Sequence, residues 1–359
     1  MHKVLHNIEK LVFGRGAIAQ VPDQLQAWRK EGNGSVVFVI DHYFKDHALL
    51  EKLGIRSEDV VCYEDCDVHE PTTQQVDRLR DQIIEQIGVP SAVVGMGGGS
   101  IMDIAKALSL MLKQEGSSSL YQGLDLIKHA GVPHLGIPTI SGTGAECSTT
   151  AVLTGPEKKL GLKCAWTVFD QVILDPELPA TVERDHWFYT GMDTYIHCIE
   201  SETGIHQNAF SRAYGGESLR LCREVFLGPD AGQNPKNDEQ LMIASLFGGW
   251  SLTYSEVGVC HALSYGLSKI LGYRHGFANC VAFQHLEDFY GPAVSEFKEM
   301  LSTNAVELPQ GLSKEWSQEQ ITAMAQVSWN LPHMWVHALG HEWQDRISLD
   351  DIKDLFRRI

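Results

Sequence analysis

Two kinds of hydrophobic patterning divide the chain. In the first part, short apolar runs alternate with helical stripes. Val36-Val37-Phe38-Val39-Ile40 is unbroken and β-branched, the pattern of a strand buried on both faces of a parallel sheet. Residues 72–88 set Val76, Leu79, Ile83, Ile84 and Ile87 on one stripe, which predicts a helix packing on a core. Ser91-Ala92-Val93-Val94-Gly95-Met96 predicts a second buried strand that runs directly into Gly97-Gly98-Gly99-Ser100, and residues 101–108 then have helix composition. Leu135-Gly136-Ile137 predicts a further strand. From Arg184 on, strand-like runs stop and helical patterning takes over, as in residues 241–247 and 321–327, with a turn-rich loop at Gly228–Pro235. The boundary is expected near Pro179–Arg184. That gives an α/β domain with a parallel, Rossmann-like sheet over 1–181 and an all-α domain over 182–359.

The composition supports two globular domains and narrows the partners. At 359 residues, 43% hydrophobic and 21% charged, the chain can bury two cores and is not disordered. A formal charge of −17 argues against a nucleic-acid backbone or an anionic membrane as partner, since both need clustered Lys and Arg. No run reaches the ~18 apolar residues of a membrane span, and Met1–Asn7 has no apolar stretch to serve as a secretory signal. A cytoplasmic protein is expected. The eight cysteines are scattered without a CxxC pair, which suits reduced thiols; Cys62 and Cys66, the nearest pair, read as structural.

Candidate chemistry falls in three places. Strand, glycine turn and helix at residues 91–108 would aim backbone N–H groups and a helix dipole at a phosphate, and glycines let the main chain approach a pyrophosphate closely. The loop Pro138-Thr139-Ile140-Ser141-Gly142-Thr143-Gly144-Ala145-Glu146 offers small hydroxyl residues to a ribose or pyrophosphate. Asp41, at the carboxyl end of the first strand, suits the hydroxyls of an adenosine ribose, and its charge would repel a 2′-phosphate. The third place is Gly191 to Gly276. Asp193 and His197 are four residues apart and share a helix face; His261 and His275 follow, separated by a turn at Leu271-Gly272-Tyr273. One carboxylate and three imidazoles fit Fe(II), Zn(II), Co(II) or Mn(II). With 16 His in the chain, some pairs at helical spacing arise by chance. The order of the three features is what gives this set its weight.

That order resembles the iron-dependent (group III) alcohol dehydrogenase family, within the superfamily that includes glycerol dehydrogenase and dehydroquinate synthase. The resemblance spans nearly the whole chain. It rests on Gly97–Lys106, Pro138–Glu146, Asp175-Pro176-Glu177-Leu178, Gly191-Met192-Asp193 with His197, and His261 with His275. It implies an amino-terminal domain that binds NAD and a helical domain, with metal and substrate in the cleft between them. Asp193, His197, His261 and His275 would ligate Fe2+ or Zn2+ and so be catalytic. Gly97, Gly98, Gly99 and Ser100 would hold the pyrophosphate, and Asp103 of the same motif would also bind the cofactor. Thr139, Ser141 and Thr143 would line the pyrophosphate and nicotinamide ribose, Lys163 would reach a ribose, and Asp41 would favour NAD over NADP. The expected reaction is reversible oxidation of a primary alcohol with hydride passing to NAD, in an enzyme expected to be a homodimer.

Two positions depart from the family pattern. Tyr265 stands where members often carry a second His near the nicotinamide, and Ala262 replaces the usual Pro. Within the family, the segments around His261 and His275 look most like the enzyme that oxidises the C8 hydroxyl of 3-deoxy-manno-octulosonate, which implies a sugar-acid substrate. Two other reactions are compatible with the fold. One is an iron-dependent oxidase passing electrons to dioxygen. The other is a dehydroquinate synthase-like lyase, for which the second half lacks a Lys and Arg cluster. A non-catalytic dinucleotide sensor ranks last. Near the carboxyl end, His333, His337 and His341 also fall at helical spacing, and the expectation there is a solvated or packing face rather than a metal site.

Overall fold

The structure, a computed structural model, describes residues 6–66 and 70–359. The chain forms two compact units. The first runs to Ile140 and resumes from Ala145 to Pro179; the second takes Ser141–Gly144 and Ala180–Ile359.

In the first unit β1 (Lys10–Phe13), β2 (Val36–Asp41), β3 (Val60–Glu64), β4 (Ala92–Gly97), β6 (His134–Pro138) and β9 (Gln171–Leu174) form one sheet in the order β1-β9-β6-β4-β2-β3. All its pairings are parallel. Central strands β2 and β4 are buried nearly end to end, which is why their sequences show no alternation. Helices α1 (Val21–Glu31), α2 (Thr73–Ile87) and α3 (Gly99–Met111) make the crossovers. Thr72 caps α2 through Gln75 N at 3.1 Å, and Val76, Leu79 and Ile83 are buried while Ile84 is exposed. A smaller sheet of β5 (Gly123–Leu124), β7 (Thr150–Thr154) and β8 (Lys159–Lys163) has the order β5-β8-β7.

The strand order locates the ligand edge. From β2 the chain leaves toward β3 on one side, and from β4 it leaves toward β6 on the other. The carboxyl ends of β2 and β4 therefore flank a topological switch point, where open parallel sheets bind ligands.

The second unit has no strand among its described residues. Its principal helices are α4 (Arg184–Thr203), α5 (Ala209–Leu227), α6 (Pro235–Tyr254), α7 (Val259–Leu271) and α8 (His275–Phe283). Shorter helices follow: α9 (Glu287–Tyr290), α10 (Pro292–Thr303), α11 (Gln318–Trp329), α12 (Pro332–Leu339) and α13 (Leu349–Arg357). Asn208 caps α5, and Asn234 followed by Pro235 starts α6. Gly272, at φ 72°, ends α7 in a left-handed turn that a side chain would strain. Every residue of α4 from Thr190 to Ser201 is buried, so this helix runs through the middle of the unit and even its polar residues face other helices. Each of those polar groups then needs a partner.

Candidate metal and dinucleotide sites

Asp193 and His197, two of α4's buried polar groups, meet the other expected ligands. Asp193 and His197 lie one turn apart, with His197 Nε2 3.5 Å from Asp193 Oδ1. His261, in the first turn of α7, brings its Nε2 to 3.3 Å from the same oxygen, and His275, which starts α8, brings its own to 3.7 Å. All four candidate ligand atoms lie within 4.8 Å of one another. Tetrahedral ligands at about 2.1 Å from an ion stand about 3.4 Å apart, so these spacings are those of a coordination shell. Asp193 Oδ2 is buried without a hydrogen-bond partner, as a carboxylate awaiting a cation would be. The donor set and its spacing fit a divalent transition metal.

The electrostatics show how strongly these groups depend on one another. Burial works against the Asp193 carboxylate, but His197, His275 and His261 together hold its pKa far below the usual range. Burial pushes His197 down to about 4 against the pull of Asp193. His261 goes the other way: burial disfavours its charge, yet Glu200 and Asp193 raise it to about 9. Three imidazoles around one oxygen are a poor arrangement for protons, and an ion would replace them all. His275 is the half-exposed member, with its side chain 29% accessible. Tyr265, the departure from the family pattern, sets its ring edge-on to His275 at 5.8 Å between centroids.

Three residues of this site escape a reading of the sequence. Glu200 is fully buried; its Oε2 accepts from His261 Nδ1 at 2.5 Å, and its Oε1 accepts from Cys260 N at 2.7 Å and Tyr290 Oη at 2.6 Å. Asp193, His197 and Glu200 stand at i, i+4 and i+7, one face of α4, and that spacing is the signal in the sequence. Asn279 donates from Nδ2 to Asp193 Oδ1 at 2.6 Å and lies four residues after His275 on α8. Tyr290 has no local signal, because only the fold brings it to Glu200.

Of the three carboxyl-terminal histidines only His337 packs. His333 and His341 are exposed, whereas His337 is fully buried. Its Nε2 donates to the Glu200 carbonyl at 2.9 Å, and its Nδ1 accepts from His206 N at 3.3 Å. Both ring nitrogens are thus committed within the fold.

In the first unit, Gly97, Gly98, Gly99 and Ser100 lie at the carboxyl end of β4 and the start of α3, and no side chain caps that helix. A Cβ on Gly97 would come within 2.6 Å of Ile101 Cγ1 and 3.1 Å of Asp41 Cβ, so glycine is required and the two strand ends abut. Asp41 ends β2 and accepts from Tyr43 N at 3.0 Å. The predicted phosphate turn and ribose acid therefore meet at the switch point. Thr139 is buried at the end of β6, its N–H donating to Gly97 O at 3.0 Å. Asp103 lies elsewhere: its carboxyl is buried beside Lys106, at 3.8 Å, and near Lys159, and burial lifts it to about 6 despite those lysines. Lys163 is exposed at the end of β8. Lys106 itself is fully buried and donates to Ser148 Oγ at 2.9 Å, Thr150 O at 2.9 Å and Ser148 O at 3.2 Å, which ties α3 to the segment after the hydroxyl loop.

Ser141 and Thr143 belong to the second unit. There the neighbouring Gly142 donates from N to Ser245 Oγ at 2.8 Å and accepts from Thr194 Oγ1 at 2.9 Å. Ser141 Oγ is buried without a partner. A Cβ on Gly144, at φ 62°, would fall 2.5 Å from Gly249 Cα.

Comparison with known proteins agrees with this architecture. Residues 9–176 match the iron-containing alcohol dehydrogenase domain and residues 187–340 match the carboxyl-terminal domain of the same family. The chain belongs to the iron-containing alcohol dehydrogenase family. It is 27% identical over 291 residues to a sulfoacetaldehyde reductase of Bilophila wadsworthia, covering 77% of this chain and 71% of the relative. It is 27% identical over 286 residues to the NAD-dependent methanol dehydrogenase of Bacillus methanolicus, covering 77% and 72%. The solved structure of a 1,3-propanediol oxidoreductase has the same fold, with a TM-score of 0.85 at 20% identity over 99% of both chains. So does a sulfoacetaldehyde reductase from Bifidobacterium kashiwanohense in complex with NAD+, with a TM-score of 0.80 at 21% identity over 99% and 98%. As a member, the chain is an alcohol/aldehyde oxidoreductase of the iron-containing type, with NAD-dependent relatives. All eight cysteines are free thiols, and no helix among the described residues is long and apolar enough to cross a membrane.

Proposed function

We propose that the protein oxidises a terminal primary alcohol to the aldehyde, reversibly, with Asp193, His197, His261 and His275 holding iron(II) and NAD as hydride acceptor. The observation that carries this reading is the convergence of those four ligand atoms within 4.8 Å in a chain of this family. Bound there, the ion supplies a Lewis acid that lowers the pKa of an alcohol, and NAD takes the hydride. The chain's own residues do the rest. The N–H groups at Gly98–Ser100 hold the pyrophosphate, and Asp41 binds the adenosine ribose and repels a 2′-phosphate. Thr139, Ser141 and Thr143 hydrogen-bond the cofactor, Lys163 reaches a ribose, and Asp103 with Lys106 keeps α3 in place. Tyr265 stands in for the family's second His beside His275, with a phenol where that imidazole would be.

For the substrate we propose a sugar acid such as 3-deoxy-manno-octulosonate, oxidised at C8. The relative that reduces sulfoacetaldehyde, an anionic aldehyde, supports an acidic substrate. Arg274, exposed and directly before His275, is the cation we assign to the carboxylate. The enzyme is proposed to work in the cytoplasm, where its thiols stay reduced, as a homodimer. The test is an anaerobic assay of iron(II)-loaded protein with primary alcohols, diols and sugar acids, following NADH and, separately, oxygen uptake. NADH formed with a sugar acid, with KM raised by Arg274→Met for that acid but not for an uncharged alcohol, is the expected result. Oxygen consumption without NAD would overturn it.

A further inference from the structure

We propose that Glu200 positions His261 for the metal and supplies the second negative charge that balances a dication there; the inference rests on the metal reading above. Glu200 is in α4, seven residues after Asp193, and reaches the start of α7. One oxygen accepts from Cys260 N and Tyr290 Oη, and the other from His261 Nδ1. Val259 N in turn donates to Tyr290 Oη at 3.0 Å. Gly258, just before α7, permits this approach: a Cβ there would lie 3.1 Å from Tyr290 Oη and 3.2 Å from Glu200 Oε1. Behind it, His337 holds the Glu200 carbonyl from the opposite side. The carboxylate is thus fixed at three points, only one of them a metal ligand, and the backbone of the same residue at a fourth.

Two consequences follow for the ligand. A carboxylate at Nδ1 fixes the proton on that nitrogen and turns the lone pair of Nε2 toward Asp193, His197 and His275. The second is charge. Among the described residues the ion-pair partners of Asp193 and Glu200 are imidazoles only, and His261 joins the two buried carboxylates with no Lys or Arg paired to either. A divalent ion with neutral imidazoles brings that cluster to zero net charge. With Asp193 alone, one positive charge would stay buried and uncompensated.

Glu200 also caps α7, so a purely architectural role has to be separated from a role toward the metal. Full-length protein is stripped of metal, and Co(II) is titrated against a competing chelator in wild type, Asp193→Ala and Glu200→Gln, with melting of each metal-free protein recorded alongside. Gln is isosteric and uncharged, and its single oxygen can serve His261 Nδ1 or Cys260 N but not both. The expected result is Co(II) binding weaker by ~10–100-fold in Glu200→Gln, with a metal-free melting temperature close to wild type. Unchanged affinity in Glu200→Gln while Asp193→Ala loses the ion overturns this inference alone. Wild-type affinity in Asp193→Ala overturns the metal reading beneath it. Should Glu200→Gln not fold, nitrogen NMR of wild type loaded with Zn(II) carries the test. His261 protonated on Nδ1 is expected, and His261 protonated on Nε2 overturns the proposal.

Discussion

The glycine turn at the end of β4 and the ligand cluster on α4, α7 and α8 are built on opposite principles. The turn is built of main chain: at Gly97 a single Cβ would collide with Ile101 and Asp41, and the chemistry proposed for it is in N–H groups that every residue has. The cluster works through side chains, each buried and each held by another. Asp193 is braced by Asn279 and His261 by Glu200, which Tyr290 and His337 hold in turn. A site made of backbone tolerates a change of side-chain chemistry but not added bulk. A site made of side chains tolerates neither, because removing one leaves another buried and unpartnered.

The contrast is broken most severely at Asp193. Asp193→Ala removes the carboxylate around which three imidazoles converge, and metal retention and turnover should fall by well over the ~100-fold typical of losing a metal ligand's supporting partner. Elemental analysis with an NADH assay checks this, while NAD binding should persist. Next is the turn. Gly98 is half-buried, and a Cβ there would meet only the Ile140 side chain, at 3.3 Å from Cδ1 and 3.9 Å from Cγ1, so Gly98→Val should fold. Its KM for NAD should rise tenfold or more, about 1.4 kcal/mol, with iron content unchanged. Loss of iron in that variant would show the two sites are not separable.

The contrast also accounts for what was legible in the sequence. Strands β2 and β4, α2, the glycine turn and the four ligands could be read because each has a local signature: an unbroken β-branched run, a stripe, consecutive glycines, a DxxxH pair. Strands β1, β3, β5, β7, β8 and β9 could not, since each is at most five residues long, and runs as short as Leu11-Val12-Phe13 or Val172-Ile173-Leu174 do not distinguish a strand from a helix segment. The meeting of Asp41 with Gly97 depends on strand order, which no local pattern encodes. Asp103 travels with the glycines in sequence, and in the fold its carboxyl lies beside Lys106. Glu200 was within reach by its spacing on α4, whereas Tyr290 arrives from 90 residues away.

Smaller effects sharpen the comparison. In the metal-free protein His261, raised to about 9, keeps a proton that the ion must displace. Below that value a proton competes with metal, so apparent affinity should climb as pH rises toward 9 and then level off. Calorimetry in buffers of different ionisation enthalpy would show the released proton, and affinity independent of pH from 6 to 9 would contradict this coupling. The mildest change expected is at Asp41. Like charges about 4 Å apart in water repel by about 1 kcal/mol, so Asp41→Ser should narrow the preference for NAD over NADP roughly fivefold and leave metal affinity untouched. Paired kcat/KM values for the two cofactors measure it.

We propose that four side chains from three helices hold one ion on which alcohol oxidation depends. Metal-free wild-type protein titrated anaerobically with iron(II), with NADH formation followed at each addition, tests it most directly. Activity that rises linearly and stops at one iron per chain is the predicted result. Full NAD-dependent activity before any iron is added would contradict it.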